Sequence, residues 1–89
     1  MKFGIVIQVD GKLKRLRVER IYHSDQIEKY IVVARNKTLT FRSNRPLLRK
    51  KGLKHRRPDW KLVDGQIHNR YVLEIIVEEL QKYLNRHVR

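Results

Sequence analysis

Apolar side chains alternate at the start of the chain, at Phe3, Ile5, Ile7 and Val9, and the alternation stops at Asp10-Gly11. A period of two belongs to a strand with one buried face, and Asp-Gly is well suited to the type I′ turn of a two-residue hairpin. With only those two residues in the turn, Val9 faces Lys12, Ile7 faces Lys14, Ile5 faces Leu16 and Phe3 faces Val18. This register collects Phe3, Ile5, Ile7, Leu16 and Val18 on one face. Gly4, Val6, Gln8, Leu13, Arg15 and Arg17 fall on the other.

A break at His23 to Asp25 precedes a third strand over about 28–35, whose Ile31-Val32-Val33 run is β-branched and apolar on both faces, as in a central strand. Asn36-Lys37 reads as the next turn, because Asn tolerates a left-handed backbone. That turn would pair Ala34 with Leu39 and Val32 with Phe41. Tyr30, Val32, Ala34, Leu39 and Phe41 then share one face, and Ile31, Val33, Arg35, Thr38, Thr40 and Arg42 share the other. The two hairpins therefore divide in the same way, into an apolar face and a face of Arg and Thr. Joining them in one sheet requires an even pairing sum between the second and third strands, such as Tyr22 opposite Gln26. A three- or five-residue loop around Ser24 meets that condition, whereas a four-residue loop would invert the second hairpin.

Pro58 biases Arg57 toward extended backbone, and Trp60-Lys61-Leu62-Val63 followed by Asp64-Gly65 reads as a short final hairpin or a strand-to-helix turn. A helix is expected from about Arg70 to Arg86, capped by Asn69. At 100° per residue, Val72, Leu73, Ile76, Val77, Leu80, Tyr83 and Leu84 occupy an arc of roughly 140°, with Glu74, Glu78, Gln81 and Asn85 opposite. Such a helix covers the apolar face of the sheet. Tyr71 and Ile75 lie outside the arc, either under the preceding loop or at a dimer contact. The predicted fold is α+β, in one basic domain over residues 1–89: a mostly antiparallel sheet of four or five strands packed on one C-terminal helix, with a short basic helix or turn inserted at about 46–51.

Charge changes this picture at one place. The 16 residues from Arg42 to Arg57 hold eight cations (Arg42, Arg45, Arg49, Lys50, Lys51, Lys54, Arg56, Arg57) and no carboxylate, in a chain whose formal net charge is +13. Ser43 or Asn44 can cap a short helix, Pro46 suits its first turn, and Gly52 stands where a left-handed residue ends it. Leu48 and Leu53 occupy the two positions whose contact accompanies a Schellman stop. The stretch thus reads as an ordered surface element. Its cations favour a polyanion, and Arg15, Arg17 and Arg35 on the open sheet face extend the track.

The expected partner is nucleic acid, DNA or RNA, bound without catalysis through phosphate contacts. An alternative is a protein-interaction module that docks an acidic partner or self-associates as a homodimer. A third reading is a small metal-free ribonuclease using His55 or His68 as acid and base. Trp60 reads chiefly as a core residue sealing the sheet edge, with base stacking as the functional alternative.

The four His have no metal-ligand spacing, no phosphate-cradling glycine motif is present, and no cofactor is called for. Absence of Cys removes disulfides and thiol chemistry, in keeping with a cytoplasmic location. No apolar run approaches the roughly 18 residues of a spanning helix, so membrane insertion is not expected, and MKFGIVIQVD lacks the core of a signal peptide.

Overall fold

The computed structural model describes residues 1–53 and 55–87. Five strands, β1 (Lys2–Val9), β2 (Lys12–His23), β3 (Glu28–Ala34), β4 (Lys37–Ser43) and β5 (Trp60–Asp64), form one antiparallel sheet in the order β1-β2-β3-β4-β5. A short helix, α1 (Arg45–Lys50), lies between β4 and β5, and α2 (Arg70–His87) closes the chain. The architecture is the expected α+β one, with every strand pairing antiparallel.

The first hairpin has the register read from its alternation, from Phe3 opposite Val18 to Val9 opposite Lys12. Asp10 and Gly11 both take positive φ, 52° and 75°, as a type I′ turn requires. The second hairpin departs from expectation. Its turn is Arg35-Asn36, with Arg35 at φ 42°, so that Tyr30 faces Phe41 and Val32 faces Leu39. The expected turn, one residue later, would have paired Val32 with Phe41. Because the two registers differ by two residues, each side chain keeps its face. Hydrophobic patterning cannot distinguish them, and the fit of β4 between β3 and β5 overrides the preference of Asn for the left-handed position.

The link between the hairpins is also a correction. The β2–β3 loop comprises four residues, Ser24 to Ile27, the length expected to invert the second hairpin. Inversion is avoided by a bulge: Tyr22 pairs with Lys29 and Arg20 with Tyr30, and the ladder skips Ile21. One extra residue on β2 restores the even sum that aligns Val18 with Val32. Ser24 orders the loop, its hydroxyl oxygen accepting from the N–H groups of Gln26 (3.2 Å) and Ile27 (3.1 Å).

Both hairpins thus turn the same face to α2. The core comprises Ile5, Ile7, Leu16, Val18, Tyr30, Val32, Leu39 and Phe41 from the sheet and Ile76, Leu80 and Leu84 from the helix. Asn69 caps α2, its side-chain oxygen accepting from the N–H groups of Tyr71 at 2.9 Å and Val72 at 3.4 Å. Phe3 stacks on Tyr83 with ring centroids 3.9 Å apart, pinning β1 to the last turns of the helix. Of the two residues outside the apolar arc, Ile75 packs against the core and Tyr71 is exposed.

Two changes test this construction. Deleting Ile21 removes the bulge and leaves both faces in place, so the variant retains a cooperative urea transition, whereas deleting Arg17 from the same strand turns Leu16 or Val18 outward and abolishes it. Gly65, at φ 89°, has no room for a Cβ, which would stand 2.5 Å from the Thr38 carbonyl oxygen. Gly65→Ala is expected to cost about 2 to 4 kcal/mol in denaturant unfolding, against about 1 kcal/mol for Gly52→Ala, where only the backbone conformation resists.

Candidate nucleic-acid interface

The cations of the Arg42 to Arg57 stretch divide among different environments. Asn44 stands at the N-cap position of α1 but its side chain makes no capping bond, accepting instead from the Asp59 N–H at 2.7 Å, while the Ser43 hydroxyl accepts from the Arg45 N–H at 3.1 Å. At the other end, Gly52 takes φ 72°, its N–H bonds the Arg49 carbonyl, and the Leu53 N–H bonds the Leu48 carbonyl at 2.7 Å. These two bonds are those of the expected Schellman stop. The Leu47 N–H donates to the Gln26 carbonyl, tying α1 to the β2–β3 loop. Leu47, Leu48 and Leu53 are half-buried and hold the segment to the body of the protein.

Arg45 is withdrawn from solvent. Its Nη1 lies 2.7 Å from Glu28 Oε2, with only 10% of the Arg45 side chain and 2% of the Glu28 side chain exposed. The Tyr30 hydroxyl donates to the other Glu28 oxygen at 2.8 Å and accepts from Arg45 Nη1 at 3.4 Å. Burial and the adjacent carboxylate together push the Tyr30 hydroxyl well above the usual phenol range. This triad clamps α1 to the sheet, a structural duty that competes with any contact to a ligand.

Among the remaining cations, Lys50 pairs with Asp25 at 2.8 Å, and its hydrogen bond and charge hold the Asp25 carboxyl below the ordinary carboxylate range. Arg57 bonds Glu78 of α2 at 2.8 Å. Arg49, Lys51 and Arg56 are exposed, and Lys54 lies outside the described residues. Arg42, on β4, faces outward from the sheet.

On that outward face the sheet assembles a row that is not contiguous in sequence. Tyr22 is opposite Lys29, Lys29 opposite Arg42, and Arg42 opposite Lys61. At the spacing of neighbouring strands, the four side chains cross about 14 Å of sheet. Lys29 Nζ lies 5.6 Å from the centre of the Tyr22 ring, a cation–π arrangement. Further along the same face stand the exposed Arg15 and Arg17, whereas Arg35, expected with them, sits in the β3–β4 turn at φ 42° and not on a strand. Two carboxylates interrupt the field: Glu19, bonded to Lys2 at 3.5 Å, and Asp64, opposite Thr40.

Lys29, Lys61 and Tyr22 were not legible as site residues. Tyr22 joins the row because the bulge at Ile21 reverses the direction its place in the β2 alternation implies, and Lys61 joins through the pairing of β5 with β4. Trp60, by contrast, faces the helix. Its indole N–H donates to Gln81 Oε1 at 2.9 Å and its ring lies 5.9 Å from that of Tyr30, so it seals the core at the β5 edge. His55 and His68 are exposed and sit in different connections, before and after β5. Among the described residues no group of His, Asp and Glu is arranged to hold a metal ion, and no helix is long and apolar enough to cross a membrane.

The separation of structural from surface cations is measurable. Arg45→Met leaves Glu28 buried without its charge partner and is expected to destabilise the fold by about 3 to 5 kcal/mol, while Lys51→Gln or Arg56→Gln changes stability by less than about 0.5 kcal/mol. In Tyr30→Phe the lost hydrogen bond costs about 1 to 3 kcal/mol near neutral pH. A raised phenol favours the folded state below the unfolded tyrosine value and ceases to do so as pH rises. The stability gap between wild type and Tyr30→Phe therefore narrows above about pH 10 in urea titrations run at successive pH values.

No family model, curated protein or solved structure matches the chain.

Proposed function

We propose that this chain binds nucleic acid, DNA or RNA, without catalysis, through phosphate contacts made by the open face of its sheet and the adjoining basic segment. The observation that carries this reading is the row formed by Lys29, Arg42 and Lys61 on three adjacent strands, with Arg15 and Arg17 on the same face and Arg35 exposed in the β3–β4 turn. Regular strand spacing places these cations along one surface track, the disposition suited to a repeating anion such as a phosphodiester backbone. Tyr22, 49% exposed at the end of the row, adds a ring on which a base of a single strand can stack. Arg49, Lys51 and Arg56 are exposed on the basic segment and contribute to the general attraction, and so does Lys50 when phosphate displaces Asp25. A soluble, cytoplasmic protein is the setting this reading supposes.

A second reading draws on the apolar groups of the same face. Val6, Leu13 and Val63 are 46%, 72% and 46% exposed. Apolar side chains interleaved with cations also suit an acidic protein partner. Recovery of a protein partner that survives nuclease treatment would favour it over the first reading.

The nucleic-acid reading is tested by titrating duplex and single-stranded oligonucleotides at several salt concentrations. Replacing Lys29, Arg42 and Lys61 together by Gln is expected to weaken binding across sequences and to lower the log-log salt slope by roughly 2.7 on duplex DNA or roughly 2.1 on a single strand. A second variant, with Arg49, Lys50, Lys51, Arg56 and Arg57 changed to Gln, measures the share carried by the basic segment. Unchanged affinity in both variants, or no binding at low salt, would overturn the proposal.

A further inference from the structure

The two edges of the sheet are unlike. At one end of the strand order, β5 has five residues, a bulge against β4 and charged side chains at Lys61 and Asp64, devices that keep an edge from pairing with another chain. At the other end, β1 runs eight residues in unbroken register with no Pro, Asp or Glu, and its one Lys stands at the first position. In a hairpin with a two-residue turn the flanking pair, Val9 and Lys12, exchanges both backbone bonds, and every second pair does the same. The Arg20 N–H, bonded to the Met1 carbonyl at 2.9 Å, extends that series to the start of the chain. The N–H and C=O groups of Lys2, Gly4, Val6 and Gln8 therefore point away from β2, along an edge that no strand occupies among the described residues.

We propose that β1 takes up, as a sixth strand, an extended segment of a partner protein in which acidic and apolar residues alternate. Main-chain bonds to the four open residues supply the attachment, as in strand addition generally. Gly4 points to the close approach of a second chain. Its φ is not positive, and a Cβ there would meet only the Leu16 carbonyl oxygen at 3.6 Å, so neither conformation nor crowding requires glycine. Gly4 is opposite Arg17 in the ladder, and Val6 is opposite Arg15. With no side chain at position 4, the Arg17 guanidinium has a clear path over β1 to a carboxylate on the added strand, about 10 Å from β2. Lys12, Lys14, Arg15 and Arg17 are all exposed on β2, and none of them is ion-paired among the described residues. These charges select an acidic partner. On the inward face the added side chains meet α2. Tyr83, stacked on Phe3, marks the flank of the helix nearest β1. At 100° per residue Val72 and Ile75 share that flank, each partly buried, while Gln81, bonded to Trp60 of β5, lies on the far one. Apolar side chains at alternate positions of the segment extend the core there. A second copy of this chain fits the edge poorly, since its net charge is +13 and its β1 has no carboxylate to set beside Arg17.

The test uses the intact chain and a capped peptide of eight residues, the length of β1, in which Val and Glu alternate. Amide hydrogen exchange is followed by proton–nitrogen NMR with no nucleic acid present, so the outcome does not depend on whether the sheet face binds nucleic acid. The peptide is expected to slow exchange at Gly4, Val6 and Gln8 and to leave Phe3, Ile5 and Ile7, already bonded to β2, unchanged. Val6→Pro removes one open N–H without breaking a bond of the β1–β2 ladder and is expected to weaken peptide binding at least about tenfold. If that variant does not fold, Arg15→Gln with Arg17→Gln, both at exposed positions, is expected to weaken it about threefold to tenfold. Control peptides, one alternating Val with Lys and one with the same Val and Glu in two blocks, are expected to bind at least about tenfold more weakly. Equal binding of either control, exchange slowed without the alternation, affinity unchanged in the variants, or no binding of the Val and Glu peptide would each overturn the proposal. A dimer in sedimentation whose Gly4, Val6 and Gln8 amides exchange slowly without peptide would also overturn it, giving the edge to a second copy.

Discussion

Everything downstream of β2 depends on the parity with which β2 meets β3. A strand presents alternate residues to opposite faces, so an error of one residue in the pairing would send Tyr30, Val32, Leu39 and Phe41 to the open face. At about 1.5 to 3 kcal/mol for each large apolar side chain left unburied, that error would consume most or all of the roughly 5 to 15 kcal/mol that holds a domain together. The four-residue Ser24 loop commits it and the bulge at Ile21 reverses it. The same correction turns Tyr22 outward beside Lys29. One local irregularity therefore aligns the core under α2 and completes the row on the opposite surface.

The second organising interaction is the buried carboxylate of Glu28. Its partners, Tyr30 from the same strand and Arg45 from α1, satisfy both of its oxygens inside the protein. A hydrophobic set of similar shape is often as stable as a buried ion pair, since desolvation offsets much of the attraction. What the ionic set adds is direction: Arg45 reaches Glu28 only when α1 lies across the end of β3. The orientation of α1 then places Arg49 and Lys50 against Arg20 and His23 across a small cleft. A cation that composition assigns to a ligand surface thus serves the fold.

Local rules carried far in this chain. The Asp10-Gly11 hairpin, the Asn69 cap with the amphipathic turns of α2, and the Gly52 stop of α1 all appear as their residues imply, because each rests on contacts among near neighbours in sequence. The β3–β4 turn escaped by one residue, since two registers that differ by two residues bury the same side chains. The four-residue loop was legible as a danger to the fold, but its remedy was not, because a bulge has no signature beyond the pairing it repairs.

The amino-acid sequence by itself determined which residues share a face within each hairpin, where the first hairpin turns, where α1 stops and where α2 begins. These properties follow from side-chain period, backbone preference and capping, all of which act over a few residues. Only the tertiary structure decided which of 22 Lys and Arg share a surface. Arg42 stands beside Lys29 and Lys61 because strands distant in sequence are neighbours in the sheet, and Arg45 is removed from its basic neighbours because a carboxylate 17 residues earlier draws it inside. Charge is a property of composition, but a charged surface is a property of pairing.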